Sequence, residues 1–212
     1  SKTPWGTYLS GEENFAFYFG GADKPTSDQS RWGARKDGFY AWEKHDARFD
    51  LKQNPNEYHR FGWVVELDPM DPTSTPVKRT ALGRFKHEGA TVTLARDRRV
   101  VVYMGDDERF EYIYKFVSKE RYVVGQSNTD SLLDEGTLYV ARFGDDGKGR
   151  WLALRHGQKY PNGSLSSEND FNNQGDVAIR CRQAADIAGA SKMDRPEWVA
   201  VHPKTGEVYV TL

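Results

Sequence analysis

The sequence predicts an all-β fold, and more narrowly part of a β-propeller with one inserted helix. Two observations carry this prediction. Short segments rich in β-branched and aromatic residues alternate with turns that contain Gly, Asp, Asn and Pro, and one strand-turn-strand pattern occurs twice. The blades of a propeller have roughly 40 to 50 residues and cannot close alone. We therefore expect residues 1–212 to form a single propeller segment of roughly four blades, with no separate second domain.

The predicted strands follow one another with polar turns between them, as in Asp68-Pro-Met-Asp-Pro and His202-Pro-Lys-Thr-Gly. They span residues 60–67, 90–94, 99–104, 111–117, 136–143, 198–201 and 207–212.

One segment departs from the strand pattern and predicts an amphipathic helix near 175–189. Its apolar residues recur at spacings of three and four; they are Val177, Cys181, Ala184, Ala185 and Ala188. Cys181 then lies on the buried face, where a cysteine behaves as a small hydrophobe. As the only cysteine in the sequence, it also excludes an intrachain disulfide and a multi-cysteine metal site.

Charge and motifs exclude several function classes. The net charge of −1 gives no general attraction to nucleic acid or to anionic membranes, and no stretch approaches the roughly 20 apolar residues of a membrane span. We therefore expect no nucleic-acid partner and no membrane association. The sequence also lacks the GxxxxGK[ST] and GxSxG motifs, which argues against nucleotide-dependent kinases and serine hydrolases.

The repeated pattern places two glutamates at corresponding positions. Glu88 opens Glu-Gly-Ala-Thr-Val-Thr-Leu, and Glu197 opens Glu-Trp-Val-Ala-Val-His; each segment is followed by a polar turn and a second strand. Equivalent positions of two propeller blades converge on the central channel. Because converging carboxylates repel unless a cation lies between them, the repeat predicts that Glu88 and Glu197 share a polyvalent metal.

Other acidic residues at strand ends can join this site. Hard cations such as calcium take six to eight oxygen ligands, and we expect Glu12 and Asp107 to contribute some of them. An acidic turn is also common as solvated surface, and Asp145-Asp146 fits that interpretation. His87 precedes Glu88, so on an extended segment it points to the opposite face.

Arg195 is a candidate phosphate ligand. Pro196 favours an extended conformation for it, and on an extended segment Arg195 and Glu197 share a face and a pocket. A guanidinium matches phosphate oxygens, while a metal neutralises charge that develops at phosphorus. We therefore expect Arg195 and Glu197 to be catalytic. The alternative is a local salt bridge of Arg195 with Asp194 or Glu197.

Several long motifs in this order resemble the PhoX-type bacterial alkaline phosphatases. They are TPWGTYLSGEENF from Thr3, RFGWVVELDP from Arg60, KRTALGRFKHEGA from Lys78, VYMGDDERFEYIYKF from Val102 and KMDRPEWVAVHP from Lys192. The resemblance implies a periplasmic or secreted enzyme that hydrolyses phosphate monoesters on a β-propeller, at a cluster of iron and calcium. It implies Glu88 and Glu197 as metal ligands, Arg195 as the phosphate-binding arginine and Asp107 as a calcium ligand.

The chain departs from this family in two ways. Gly11 stands where the family has a cysteine that binds iron, so the soft thiolate is missing. Calcium remains the expected cation, and the cluster either holds another metal in place of iron or is incomplete. The chain is also shorter than family members. We expect the remaining blades, or another chain, to pair with its open sheet edges.

Two further hypotheses remain open beside a metal-dependent phosphatase. One is a catalytically inactive propeller that binds calcium or serves as a binding module; the missing thiolate favours it, but Arg195 has no purpose there. The other is a calcium-dependent lactonase or phosphotriesterase-like propeller. Fold alone does not separate them.

Overall fold

The structure, a computed structural model, describes residues 1–126 and 129–212 and is mostly β-sheet with few helices. In chain order the strands are β1 (Tyr8–Gly11), β2 (Val64–Leu67), β3 (Val77–Lys78), β4 (Thr91–Leu94), β5 (Arg99–Gly105), β6 (Arg109–Glu111), β7 (Ile113–Arg121), β8 (Gly136–Phe143), β9 (Gly149–Ala153), β10 (Lys159–Tyr160), β11 (Gly163–Ser164), β12 (Met193–Asp194), β13 (Val199–Val201) and β14 (Val208–Val210). The α-helices are α1 (Ser27–Arg31), α2 (Ser131–Asp134), α3 (Gln174–Ile179) and α4 (Cys181–Ala188).

The largest sheet is antiparallel and has five strands in the order β4-β5-β7-β8-β9. Alternate residues of its central strands point into the core and are almost fully buried; they include Val100, Val102, Met104, Tyr114, Phe116, Leu138 and Val140. Alternate side chains of a strand share one face of the sheet, and Val101, Ile113 and Ala141 show that the opposite face is partly covered as well. The strands predicted at 90–94, 99–104, 111–117 and 136–143 are confirmed with small shifts at their ends.

The first third of the chain is less regular than the sequence predicts. β1 pairs with β2 and β2 with β3, but most of residues 12–63 form loops and short 3-10 turns. The strand predicted at 60–67 begins only at Val64. Glu57–Arg60 forms a 3-10 turn, and Gly62 has φ 90°, which a regular strand does not allow.

The single helix predicted near 175–189 is two helices, α3 and α4, separated at Arg180 (φ −103°, ψ 45°). The break has a tertiary cause. Arg84 N donates a hydrogen bond to Ala178 O at 3.0 Å and so occupies a carbonyl that a continuous helix would use. The predicted buried face is confirmed, because Val177, Cys181, Ala184, Ala185 and Ala188 are all buried.

The end of the chain forms strands in two small sheets, one of which joins it to an earlier segment. β12 pairs with β6, and β13 pairs with β14. Thr91 Oγ1 of β4 donates a hydrogen bond to Val199 O of β13 at 2.6 Å, so the two segments of the sequence repeat lie side by side. Within the described ranges, no helix is long and apolar enough to cross a membrane.

Candidate metal centre

Main-chain hydrogen bonds draw three distant segments together at the end of the large sheet. His87 N donates to Glu12 O at 3.1 Å, and Asp107 N donates to Lys86 O at 3.0 Å. His87 and Asp106 also form an isolated antiparallel bridge. The side chains that follow these contacts are therefore placed by backbone geometry rather than by flexible loops.

The result is an acidic group formed by Glu13, Glu88 and Asp107. One carboxylate oxygen from each lies within 4.8 Å of the others. Burial raises the pKa of Glu13, and the charges of Glu88 and Asp107 raise it further. The pKa of Glu88 is raised by burial and then by the charges of Asp107 and Glu197. The group therefore concentrates negative charge that these side chains do not balance among themselves.

Asp107 is the most buried member of the acidic group. Its side chain is only 4% exposed. Oδ2 accepts a hydrogen bond from Arg195 Nη2 at 2.9 Å, whereas Oδ1 is buried with no hydrogen-bond partner in the part of the chain that the structure describes. A buried carboxylate oxygen without a partner is costly, so a bound cation accounts for it better than a purely structural role.

Arg195 lies at the open side of the acidic group. Its Nη2 is 2.9 Å from Asp107 Oδ2 and 3.3 Å from Glu197 Oε1, and the side chain is half-exposed. The hydrogen bond that Arg195 donates to Asp107, together with the charge of that carboxylate, raises the pKa of Arg195, so the guanidinium stays charged. The prediction that Arg195, the residue before Pro196, is extended is wrong. Arg195 has φ 60°, a left-handed and strained conformation for a residue other than glycine.

Among the sequence-predicted ligands, Glu88 and Asp107 join the group and Glu197 lies beside it, but Glu12 does not. Glu12 Oε2 accepts hydrogen bonds from the backbone N–H groups of Gly62 and Trp63, both at 3.0 Å, and Oε1 pairs with Lys78 Nζ at 2.8 Å. Its neighbour Glu13 occupies the site instead. Sequence reasoning missed Glu13, although the alternation that turns His87 away from Glu88 applies equally to the Glu12–Glu13 pair.

His87 is buried beneath the site and faces away from it. Its Nε2 lies 2.9 Å from Gly83 O, and its ring stacks on Phe85 with centroids 3.7 Å apart. Burial lowers the pKa of His87 to about 3, so the ring is neutral. The expectation that it points to the face opposite Glu88 is therefore confirmed.

The donor atoms at the site suit a hard cation rather than a thiolate-bound one. A Cβ on Gly11 would lie 2.5 Å from His87 O, so no side chain fits at that position without a backbone shift. Cys181 is buried, and burial raises the pKa of its thiol well above the usual range. The acidic group offers carboxylate oxygens, which calcium and magnesium prefer.

These features define a class of protein: a β-sheet protein that holds several carboxylates and an arginine at the ends of its strands. The chain matches the family model of Alkaline phosphatase PhoX over residues 1–212, so it belongs to that family. Among solved structures, "Pseudomonas fluorescens PhoX in complex with vanadate, a transition state analogue" is 50% identical with a TM-score of 0.92. The match covers 99% of this chain and 38% of that one. No curated protein matches the chain.

Proposed function

We propose that this chain supplies the metal- and phosphate-binding centre of an enzyme that hydrolyses phosphate monoesters. The observation that carries the proposal is the acidic group of Glu13, Glu88 and Asp107, with one buried unpartnered oxygen, beside the half-exposed Arg195. Membership of the PhoX family supports it, as does the vanadate complex of a relative that is 50% identical. Vanadate is described there as a transition state analogue, so that relative binds a mimic of phosphoryl transfer.

Glu13, Glu88 and Asp107 would hold the cation, with Glu197 next to them. Calcium fits this set of oxygen donors, whereas thiolate-bound iron has no support from Gly11 or Cys181. When bound, such a cation offsets the negative charge that develops on the phosphoryl oxygens. Glu13 thus takes the role that the sequence assigned to Glu12.

Arg195 would bind and orient the phosphate. Within the described residues its ion pairs with Asp107 and Glu197 both use Nη2. These pairs hold the guanidinium beside the acidic group, and Nη1 and Nε would bind two phosphate oxygens. A charged fork held in advance stabilises the transition state without reorganisation at the moment of reaction.

The first experiment is hydrolysis of p-nitrophenyl phosphate by the purified protein, with and without chelator, together with elemental analysis. We expect bound calcium and turnover that the chelator abolishes. Arg195→Lys should lower kcat/KM by about 10²- to 10³-fold, whereas Arg121→Lys, at an exposed position of β7, should not. Calcium binding without turnover would favour the inactive calcium-binding hypothesis, and equal activity of the two variants would contradict the role of Arg195.

We further propose that residues 1–212 form one β-propeller segment of roughly four blades. The remaining blades, or another chain, would complete the ring by pairing with its open sheet edges. The family match and the TM-score of 0.92 support this arrangement. By family we also propose a periplasmic or secreted location. Fractionation of cells that produce the protein from its native gene tests the location; recovery with the cytoplasmic fraction would contradict it.

A further inference from the structure

The turn from Gly105 to Glu108 presents neighbouring carboxylates to opposite sides. Asp107 faces the acidic group, whereas Asp106 is fully buried on the other side and is bound by Arg182 of α4. Arg182 Nε donates to Asp106 Oδ2 at 2.7 Å and Nη2 donates to Oδ1 at 2.6 Å. Two parallel hydrogen bonds fix both the position and the rotation of a carboxylate. Arg182 therefore determines how this turn is oriented.

The same arginine holds the turn at a second point. Arg182 Nη1 donates to Glu108 Oε2 at 2.8 Å, and Lys86 Nζ lies 2.9 Å from the same oxygen. The main chain of Lys86 also bonds the turn, because its N–H donates to Asp106 Oδ1 at 3.2 Å and its carbonyl accepts from Asp107 N at 3.0 Å. Arg182 and Lys86 thus hold both neighbours of Asp107 in place, whereas Oδ1 of Asp107 has no hydrogen-bond partner among the described residues.

Arg182 is itself fixed in place. Its side chain is fully buried, its Nη1 also donates to Arg31 O at 3.1 Å, and its guanidinium lies 4.6 Å from the centre of the Trp32 ring. A buried arginine with this many partners has one orientation, so it can transmit that orientation to the turn.

We propose that Arg182 is a positioning residue for the metal centre: it acts through Asp106 and Glu108 to hold Asp107 where a cation can bind. Arg182 touches neither the acidic group's candidate ligand atoms nor the phosphate site, so its effect is on the geometry of Asp107 alone. The inference rests on the proposed function, because it requires that Asp107 binds a cation. Groups that orient metal ligands typically change metal affinity by about 10- to 100-fold when removed.

The test is calcium titration, by isothermal calorimetry, of Arg182→Lys beside its matched control Arg84→Lys. Arg84 is also fully buried and lies 4.4 Å from the centre of the same Trp32 ring. Its side-chain hydrogen bonds go to backbone carbonyls, those of Phe61, Tyr58 and Ile179. Both variants should unfold at a lower temperature than the parent protein. Only Arg182→Lys should raise the calcium Kd, by about 10- to 100-fold.

Asp107→Asn separates failure of the inference from failure of the centre. An unchanged calcium Kd in Asp107→Asn would overturn the proposed centre and the inference with it. A raised Kd in Asp107→Asn, together with equal Kd values for Arg182→Lys and Arg84→Lys, would overturn the inference alone.

If Arg182→Lys does not fold, Glu108→Gln carries the test, since its side chain is 40% exposed and its loss is less damaging. Its control is Glu57→Gln, which removes a carboxylate paired with Arg48 and Arg60. We expect a raised calcium Kd for Glu108→Gln alone. The same Kd in both variants would contradict the inference.

Discussion

Two acidic regions lie back to back across the Asp106–Asp107 turn, and they differ in what balances their charge. Behind the turn, Asp106 and Glu108 are bound by Arg182 and Lys86. Burial alone would raise the pKa of Glu108, but the charges of these two cations outweigh it and lower that pKa. In front of the turn, Glu13 and Glu88 have raised pKa values. Asp106 and Asp107 are adjacent aspartates in different surroundings. The protein's own cations balance the charge of the first region, whereas we propose that a cation from solution balances the second.

The largest expected effect comes from breaking the balanced region. Asp106→Asn leaves Arg182 buried without its bidentate partner, and loss of one member of a buried ion pair costs about 3–5 kcal/mol of stability. Asp107→Asn removes a charge from the unbalanced region, so it should leave the metal-free protein equally stable or more stable. Urea unfolding of both variants without calcium measures the difference, and equal destabilisation would remove the contrast between the regions.

The proposed calcium site predicts that calcium stabilises the protein, because a ligand that binds only the folded state raises the free energy of unfolding. At a free concentration of 100 times Kd the gain is about 2.7 kcal/mol. Asp107→Asn should lose this gain, since Oδ1 of Asp107, which has no hydrogen-bond partner among the described residues, is the ligand atom that we propose for the cation. Melting temperatures with calcium and with chelator measure it. A gain of the same size in parent and variant would place the calcium elsewhere.

Asp28 adds a third case, a carboxylate satisfied by hydrogen bonds. It accepts from Tyr58 Oη, and it lies 3.1 Å from His59 Nε2 and 2.7 Å from Gln183 Nε2. Burial raises its pKa, but the hydrogen bonds from His59 and Tyr58 outweigh burial and lower the pKa from 3.8 to about 2.

A folded-state pKa below the unfolded one means that Asp28 stabilises the fold above about pH 4 and that this contribution disappears as the pH falls toward 2. As the pH falls over that range, the free energy of unfolding of Asp28→Asn should therefore decrease by about 2 kcal/mol less than that of the parent protein. Urea unfolding between pH 5 and 2 measures this; Asp23→Asn, at an exposed position, is the control. Parallel pH profiles for Asp28→Asn and the parent would contradict the assignment.

The smallest effect concerns Glu12. Its ion pair with Lys78 is partly exposed, so Glu12→Gln should change stability by less than about 1 kcal/mol and leave calcium affinity unchanged. Glu13→Gln should weaken calcium binding. If Glu12→Gln weakened it as much as Glu13→Gln, the ligand set expected from the sequence would be favoured over the one that the geometry gives.

The regular part of the fold could be predicted because its cause is local. The β-branched and aromatic residues of 99–104 and 136–143 predict strands, and the spacing of Val177, Cys181 and Ala184 predicts a buried helical face. The break at Arg180 could not be predicted, because the competing hydrogen bond comes from Arg84, far away in the sequence.

The candidate site was predictable in composition but not in detail. The repeat and the motifs lead to Glu88, Asp107 and Arg195, whereas the choice between Glu12 and Glu13 depends on which face each presents after folding. Arg182 and Asp106 are 76 positions apart in the sequence, so no local sequence pattern predicts their pairing. The left-handed conformation of Arg195 is likewise not what the following proline favours.

The acidic group draws its members from widely separated parts of the chain, and this separation has a kinetic consequence. Glu13, Glu88 and Asp107 meet only after β1, β5 and the segment before β4 have come together. Closing such long loops costs entropy that must be met before any ligand can bind. If the proposed calcium site is correct, calcium should therefore leave the refolding rate unchanged and slow unfolding, because its ligands come together only after the chain has folded.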